Sequence, residues 1–245
     1  MGVFRPARDG RRVLSGGPDG PADAPEDGDR PPFQPEHFAR QDETPDEMFY
    51  AMPRLVTHID EAACAALAGY YATILRDGDD ILDLMSSCVS HLPVGLAPGR
   101  VVGHGINRTE LEANPALDAH FLQNLNADPA LPFGDGSFDA CLIAVSVQYL
   151  TDPVAVFGEI RRVLRPGGIV AVSFSNRMFP TKAVAIWRAL DDRQHGGLIR
   201  EYLVRAGAWD DIALQDLSPA PGRSDPLYVA AARKPAAAAQ DGNEK

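Results

Sequence analysis

Residues 131–168 read LPFGDGSFDACLIAVSVQYLTDPVAVFGEIRRVLRPGG, and they carry the signals for a turn, a buried strand, a helix and a second turn. The GDG near the start favours a tight turn. The apolar run at 138–147 is too continuous for a strand with one face in water, so it predicts a central strand of a covered, parallel sheet. Pro153 then begins a helix, and the proline and glycines at 166–168 end it before a second apolar strand at 169–174. The unit therefore links two parallel strands through a right-handed helical crossover.

Apolar runs before this unit predict the first half of the sheet. A helical stripe begins at Leu55, and short apolar runs at 81–84 and 101–103 predict the first two strands. Prolines in the segment 92–100 indicate that the helix between these strands is short or irregular. A third strand is expected at 120–126.

The segment after residue 174 predicts the other edge of the sheet. A helix is expected to carry Ile186 and Trp187, and the glycines of His195-Gly196-Gly197 are expected to interrupt the chain before a helix at 198–206. Two further strands are predicted at 209–217 and 227–233.

The two ends of the chain differ in composition from this α/β segment. Residues 1–44 are dominated by Gly, Pro, Asp and Arg and carry few large apolar side chains, which predicts a disordered arm. Residues 234–245, rich in alanine and then polar, predict a frayed tail. The sequence therefore predicts one folded domain at 45–233.

Composition limits the classes of partner. Lys and Arg total 23 against 34 Asp and Glu, for a net charge of −11, so the basic surface of a general nucleic-acid binder is missing. The three cysteines, Cys64, Cys88 and Cys141, have no metal-ligand spacing and form no disulfide framework. No apolar run has membrane-spanning length, and we find no signal-peptide core in the given residues. We expect a cytoplasmic protein that acts on a small molecule, with no resident metal, no nucleic acid and no membrane partner; the sequence leaves the oligomeric state open.

The motifs PF, DGSFD and VLRPGG of residues 131–168 occur in the order and at the spacing of a known family. They resemble class I S-adenosylmethionine-dependent methyltransferases, nearest the methyltransferase domain 11 group, and the resemblance extends over about 47–233. It implies a Rossmann-like doubly wound sheet of seven strands, mostly parallel with an antiparallel last strand. It also implies S-adenosyl-L-methionine as cofactor and direct transfer of its methyl group to an oxygen, nitrogen or carbon of an acceptor.

The resemblance places the cofactor's amino-acid end at the loop after the first strand. Family members have an acidic residue and a glycine-rich turn there; Asp83 fits, but Met85, Ser87 and Val89 stand where glycines are usual. Ser86 and Ser87 are small enough to allow a close approach and can donate to a carboxylate. Asp83 is the expected partner of the cofactor ammonium, directly or through water, with a turn cap as the alternative.

The nucleoside would lie along the next two strands. The resemblance puts Gly105 where family members have an acid that binds the ribose. Asn107 replaces part of that function or caps the helix 108–113, with Glu110 completing a capping box. The candidates for the adenine contact, each of which also suits a turn, are Asn124, Asn126 and Asp128.

The acceptor side would be formed by the segment before the first strand and by the loops after the fourth and fifth strands. Tyr149 is a candidate to flank the sulfonium, with sheet packing as the alternative. His91, in the loop after the first strand, is the candidate general base. The substrate-side candidates, for which ordinary surface or core positions are the alternative, are Tyr50, Arg54, Asn176, Arg177 and Phe179.

Two other functions remain open at this point. The altered glycine turn and the missing ribose acid allow a methyltransferase-like protein that is not catalytic and acts through cofactor or partner binding. A nicotinamide-dependent oxidoreductase is disfavoured, because no G-x-G-x-x-G follows the first strand.

Overall fold

A computed structural model describes residues 32–237, which form a seven-stranded sheet with helices on both faces. The strands lie in the order β3-β2-β1-β4-β5-β7-β6. Their bounds are β1 Asp80–Leu84, β2 Arg100–Gly105, β3 Ala119–Leu122, β4 Phe138–Ala144, β5 Leu164–Phe174, β6 Asp210–Asp216 and β7 Tyr228–Arg233. The helices are α1 Asp46–Phe49, α2 Glu61–Ile74, α3 Arg108–Glu112, α4 Pro153–Val163, α5 Ala185–Ala189 and α6 Asp192–Ala206.

The sheet is parallel from β3 to β5, and β7 runs antiparallel to both β5 and β6. The predicted Rossmann-like doubly wound sheet of seven strands, mostly parallel with an antiparallel last strand, is therefore confirmed. The chain order reverses beside β1, because β2 lies on one side of it and β4 on the other. In doubly wound sheets, ligands bind outside the carboxyl ends of the strands at such a reversal.

Two layers of apolar side chains cover the sheet. Successive residues of a strand point to opposite faces, so Ile81 packs under α2 while Leu82 packs under α4 and α6. The helix α4 buries Val156, Phe157 and Ile160 against one face. Both faces of the central strands are thus removed from water, which explains why their sequences are continuously apolar.

Three local predictions need correction. Residues 166–168 do not form a separate turn, because β5 already begins at Leu164; an irregular register beside β4 and a φ of 79° at Gly167 mark the PGG. His195, Gly196 and Gly197 do not interrupt the chain but lie inside α6, where Gly196 lets the side chain of Leu214 approach closely. The stripe from Leu55 becomes a helix only at Glu61, so Leu55 itself is exposed.

Residues 32–44, predicted to be part of a disordered arm, are ordered and packed on the domain. Phe33 and Phe38 contact the ring of Tyr202 on α6. The backbone amide of Ala185 donates to the carbonyl of Ala39, and that of Asp42 donates to Thr181. These contacts are made with residues far along the chain, so local composition does not reveal them. The rest of the predicted arm, 1–31, and the tail beyond 237 lie outside the described residues.

The loop between β1 and β2 holds no helix, whereas its prolines were expected to leave a short or irregular one. In the part of the chain that the structure describes, no helix is both long enough and apolar enough to cross a membrane.

Candidate functional site

A cavity of about 320 Å³ lies at the carboxyl ends of β1, β2, β4 and β5. Its volume is in the range of small-molecule sites. One wall is the loop after β1, and the segment 40–58, which we call the strap, closes the opposite side with Asp46, Tyr50, Arg54, Val56 and His58. The site predicted at the mouth of the first strand is thus an open cavity that is partly covered.

The loop after β1 makes the turn of a glycine-rich loop without glycine. Met85 has a φ of 57°, in the left-handed region that glycine adopts readily. The backbone amide of Met85 donates to Nδ1 of His104 at 3.1 Å, and the amide of Ser86 donates to the His104 carbonyl at 2.6 Å. The Met85 side chain packs against the core as well as lining the cavity. The larger residues therefore leave the crevice open.

Asp83 is buried behind the loop that follows β1 and is hydrogen-bonded to it. Its side chain is buried and does not line the cavity, and it accepts a hydrogen bond from Oγ of Ser86 at 2.6 Å. Burial raises the pKa of Asp83 to about 6, although the hydroxyls of Ser86 and Ser90 lower it. The structure does not place Asp83 on the cavity wall, where a direct contact with a ligand ammonium would require it; Ser86 and Ser87 do line the cavity.

Backbone strain is concentrated at the cavity. Met85, His91 and Val145 all have positive φ values, of 57°, 53° and 46°, and all three line it. Among the described residues one other non-glycine residue, Asp211, shares this conformation. Such strain costs about 1 to 3 kcal/mol per residue and persists at ligand sites that the surrounding structure holds in place.

The end of β2 explains the missing ribose acid. A Cβ on Gly105 would lie 2.9 Å from the carbonyl oxygen of Ser86, which leaves no room for any side chain. Asn107 caps α3, which is one of the two roles that the sequence left open, and accepts from the amide of Glu110 at 3.2 Å. Its side-chain nitrogen donates to the carbonyls of Tyr50 and Ala51 in the strap, so the whole amide is occupied.

Glu110 is the site residue that the sequence analysis missed. It lies on the cavity wall and is 8% exposed. Its carboxylate does not return to Asn107 to complete a capping box but accepts from the backbone amide of Arg54 and from Oγ of Ser87, both at 2.7 Å. Its position at the third residue of α3 signals a helix cap, and nothing local indicates these partners.

The three adenine candidates occupy different positions. Asn124 and Asn126 line the cavity, whereas Asp128 is an exposed turn residue that accepts from the amide of Ala130. Asn126 fixes the strap, since its side-chain nitrogen donates to Asp46 at 2.9 Å and to the Tyr149 carbonyl at 3.0 Å. The structure therefore takes Asp128 away from the site and leaves Asn124 and Asn126 at it.

The acceptor-side candidates gather at the other end of the cavity. The guanidinium of Arg54 lies over the rings of Phe49, Tyr50 and Phe179, at 4.8, 5.7 and 5.0 Å from their centroids. Tyr149 stacks on Phe179 at 5.9 Å, and its hydroxyl accepts from the Phe179 amide. Asn176 and Arg177 line the same end and are exposed. All five predicted substrate-side residues and Tyr149 thus lie on one cavity.

Three histidines, His58, His91 and His104, line the cavity. His104 bridges the Met85 amide and the Gln123 carbonyl, and burial lowers its pKa to about 4. Burial, with a smaller effect of His58, lowers the pKa of His91 to about 4 as well. His91 is therefore a neutral imidazole at pH 7, and its lowered pKa makes it a weaker base than an exposed histidine.

Within residues 32–237 no cluster of three or more His, Cys, Asp or Glu side chains could hold a metal ion.

Comparison with known proteins agrees with the motifs. Residues 90–172 match the model of a family described as a methyltransferase domain. The malonyl-(acyl-carrier protein) O-methyltransferase of Erwinia billingiae (strain Eb661) is 30% identical over 139 residues, which cover 52% of this chain and 51% of that protein. The ubiquinone/menaquinone biosynthesis C-methyltransferase UbiE of Hahella chejuensis (strain KCTC 2396) is 39% identical over 90 residues, covering 34% of this chain and 36% of that protein.

These similarities are partial. The chain spans 12% of the length of one curated relative and 51% of another. Among solved structures, that of the (4+2)-cyclase SpnF superposes with a TM-score of 0.52 at 17% identity, covering 70% of this chain and 81% of that one. Identity this low shows the fold alone. Together with the family match, it confirms the resemblance to class I methyltransferases that the motifs indicated.

Proposed function

We propose that this chain, which has the fold of class I S-adenosylmethionine-dependent methyltransferases, uses S-adenosyl-L-methionine to methylate a small-molecule acceptor. The observation that carries the proposal is the open cavity at the reversal of the sheet, which the larger residues of the loop after β1 line without closing. The family match over 90–172 and the methyltransferases among the relatives support it.

The cofactor supplies a methyl group on a good leaving group, so the protein mainly has to align the reacting atoms and exclude water. We assign Ser86 and Ser87, which line the cavity, to the amino-acid end. Their hydroxyls donate to Asp83 and Glu110 and hold the loop in place. Asn124 and Asn126 lie where the nucleoside base would be held. Tyr149 offers an aromatic face beside the reacting centre, which favours a developing or bound positive charge.

The acceptor would lie under the strap. Tyr50, Arg54 and Phe179 form a wall of aromatic rings and a cation that suits a flat or anionic small molecule. We assign His91 the role of general base, because it lines the cavity and is neutral at pH 7. A protein or nucleic-acid acceptor fits the covered cavity less well.

The proposal is tested first by cofactor binding and then by methyl transfer. Isothermal titration with S-adenosylhomocysteine, the demethylated product, should give a dissociation constant in the micromolar range or below. The variant Ser87→Phe, which adds a ring to the cavity wall, should abolish the heat, whereas Glu112→Gln on the exposed end of α3 should not change it. Absence of heat with the wild type at high micromolar ligand would contradict the proposal.

A second function is kept because the fold also serves other chemistry. The structure of the (4+2)-cyclase SpnF superposes on this chain. If the chain binds the cofactor but transfers no labelled methyl group to any fraction of a cell extract, the alternative of a methyltransferase-like protein without transferase activity is favoured. Labelling that disappears in His91→Ala while cofactor binding persists supports the assigned base.

A further inference from the structure

The carboxylate of Glu110 is buried at the cavity without a cationic partner. Its side chain lies on the wall, with 8% of the residue exposed, and it forms no ion pair among the described residues 32–237. Its electrostatic neighbour His58 has a pKa that burial lowers. Burying an unpaired carboxylate is costly unless hydrogen-bond donors surround it. The protein supplies two donors, the Arg54 amide and the Ser87 hydroxyl.

These two donors leave the carboxylate with further acceptor capacity. One oxygen accepts from Arg54 and the other from Ser87, and an ionised carboxylate has about four acceptor sites in all. These unused acceptor sites are on Glu110, which lines the cavity. A ligand group that donates hydrogen bonds, such as a hydroxyl or an ammonium, would complete it.

The position of Glu110 in the fold indicates which ligand group its carboxylate would bind. In dinucleotide-binding sheets an acid at the end of the second strand accepts from the ribose hydroxyls. Here β2 ends at Gly105, and the Ser86 carbonyl excludes any side chain there. Glu110 belongs to α3, the next element after β2, and it returns a carboxylate to the same end of the sheet.

Two other polar side chains near this end are already engaged. The amide of Asn107 is used by the helix cap and by two strap carbonyls. Asp83 is turned beneath the loop and holds Ser86. Glu110 is thus a carboxylate with free acceptor capacity beside the end of β2.

We infer that Glu110 accepts a hydrogen bond from a ribose hydroxyl of the cofactor, in place of the acid that β2 cannot carry. The inference rests on the proposed function and assigns a contact within it. The same carboxylate accepts a hydrogen bond from the Arg54 amide. Binding of the nucleoside would therefore also affect one hydrogen bond that attaches the strap.

The experiment compares ligands as well as variants. S-adenosylhomocysteine, its 2′,3′-dideoxy analogue and its analogue without the α-amino group are titrated calorimetrically into the wild type, Glu110→Gln and the matched control Glu112→Gln. A hydrogen bond to a charged group contributes about 1.5 to 3 kcal/mol, so Glu110→Gln should weaken S-adenosylhomocysteine about 10- to 100-fold. Glu112→Gln, whose side chain is exposed, should leave the affinity unchanged.

The pattern across ligands decides the assignment. Removing the ribose hydroxyls should weaken binding to the wild type by a similar factor but should cost Glu110→Gln less than about threefold. If the amino group, and not the hydroxyls, loses its contribution in Glu110→Gln, the carboxylate binds the ammonium and the inference is wrong.

Two further outcomes keep the inference separate from the proposed function. Equal affinity of the wild type and Glu110→Gln for S-adenosylhomocysteine overturns the role of Glu110 but leaves the methyltransferase proposal intact, whereas no binding by the wild type overturns both. Should Glu110→Gln fail to fold, the wild type alone still decides, because a dideoxy analogue that binds within about threefold of S-adenosylhomocysteine excludes a strong ribose contact.

Discussion

Replacing Asp83 by asparagine should stabilise the protein at neutral pH. Burial raises the pKa of Asp83 from 3.8 to about 6. A carboxyl group whose pKa is higher in the folded state stabilises the fold fully below pH 3.8, and this contribution is lost as the pH rises through 6. A difference of about two pKa units corresponds to about 3 kcal/mol. The ionised Asp83 therefore costs the native state about this much above pH 7, and asparagine carries no charge to bury.

The assay is urea denaturation of the wild type and Asp83→Asn between pH 4 and pH 8, followed by the fluorescence of the buried Trp187. The free energy of unfolding of the variant minus that of the wild type should rise by about 2.5 kcal/mol over this range, since the unfolded carboxyl is already partly ionised at pH 4. Altered hydrogen bonding to Ser86 and Ser90 adds an offset that does not depend on pH. Ser86→Ala removes a hydroxyl that lowers the pKa of Asp83, so it should move the transition to higher pH. A difference that stays constant from pH 4 to 8 would refute the reasoning.

Three further predictions concern the strap, the end of β2 and the histidines. Lys182, which is fully buried and pairs with Asp46 at 3.2 Å, holds the strap; Lys182→Met should lower the free energy of unfolding by about 3 kcal/mol in urea and expose 40–58 to protease. Gly105→Ala should cost about 1 to 3 kcal/mol by thermal denaturation, because its methyl group meets the Ser86 carbonyl, and an unchanged melting temperature would contradict the close contact. The imidazole NMR signals of His91 and His104 should stay in their neutral positions down to about pH 5, and a midpoint above pH 6 for either would show that its pKa is not lowered.

The sheet and its crossover could be predicted because their signals are local. The apolar run at 138–147 and the cap before Pro153 are read within a few residues, and β4 and α4 begin at Phe138 and Pro153 as expected. The predicted boundaries failed where a glycine fits inside a regular element, as Gly196 does in α6. A glycine in a sequence suggests a break in a helix. Gly196 instead lies inside α6, where its lack of a side chain lets Leu214 pack closely.

The candidate site was predictable only in part, because its contacts join distant segments. Tyr50, Arg54 and Phe179 were expected on the acceptor side and do lie on one cavity, since the resemblance fixed which loops meet. Glu110 has the local signature of a helix cap, whereas its partners Arg54 and Ser87 lie 56 and 23 residues away. The order of residues 32–44 likewise depends on residues of α6 and of the segment before α5.

The loop after β1 reaches its turn with methionine in the left-handed conformation instead of glycine. Glycine would reach the same turn without strain, but it would also give the unoccupied loop many more backbone states. The larger side chain therefore keeps the crevice in one shape before any ligand arrives. Recognition then loses little entropy to ordering this wall, so association should leave the loop's amide exchange nearly unchanged.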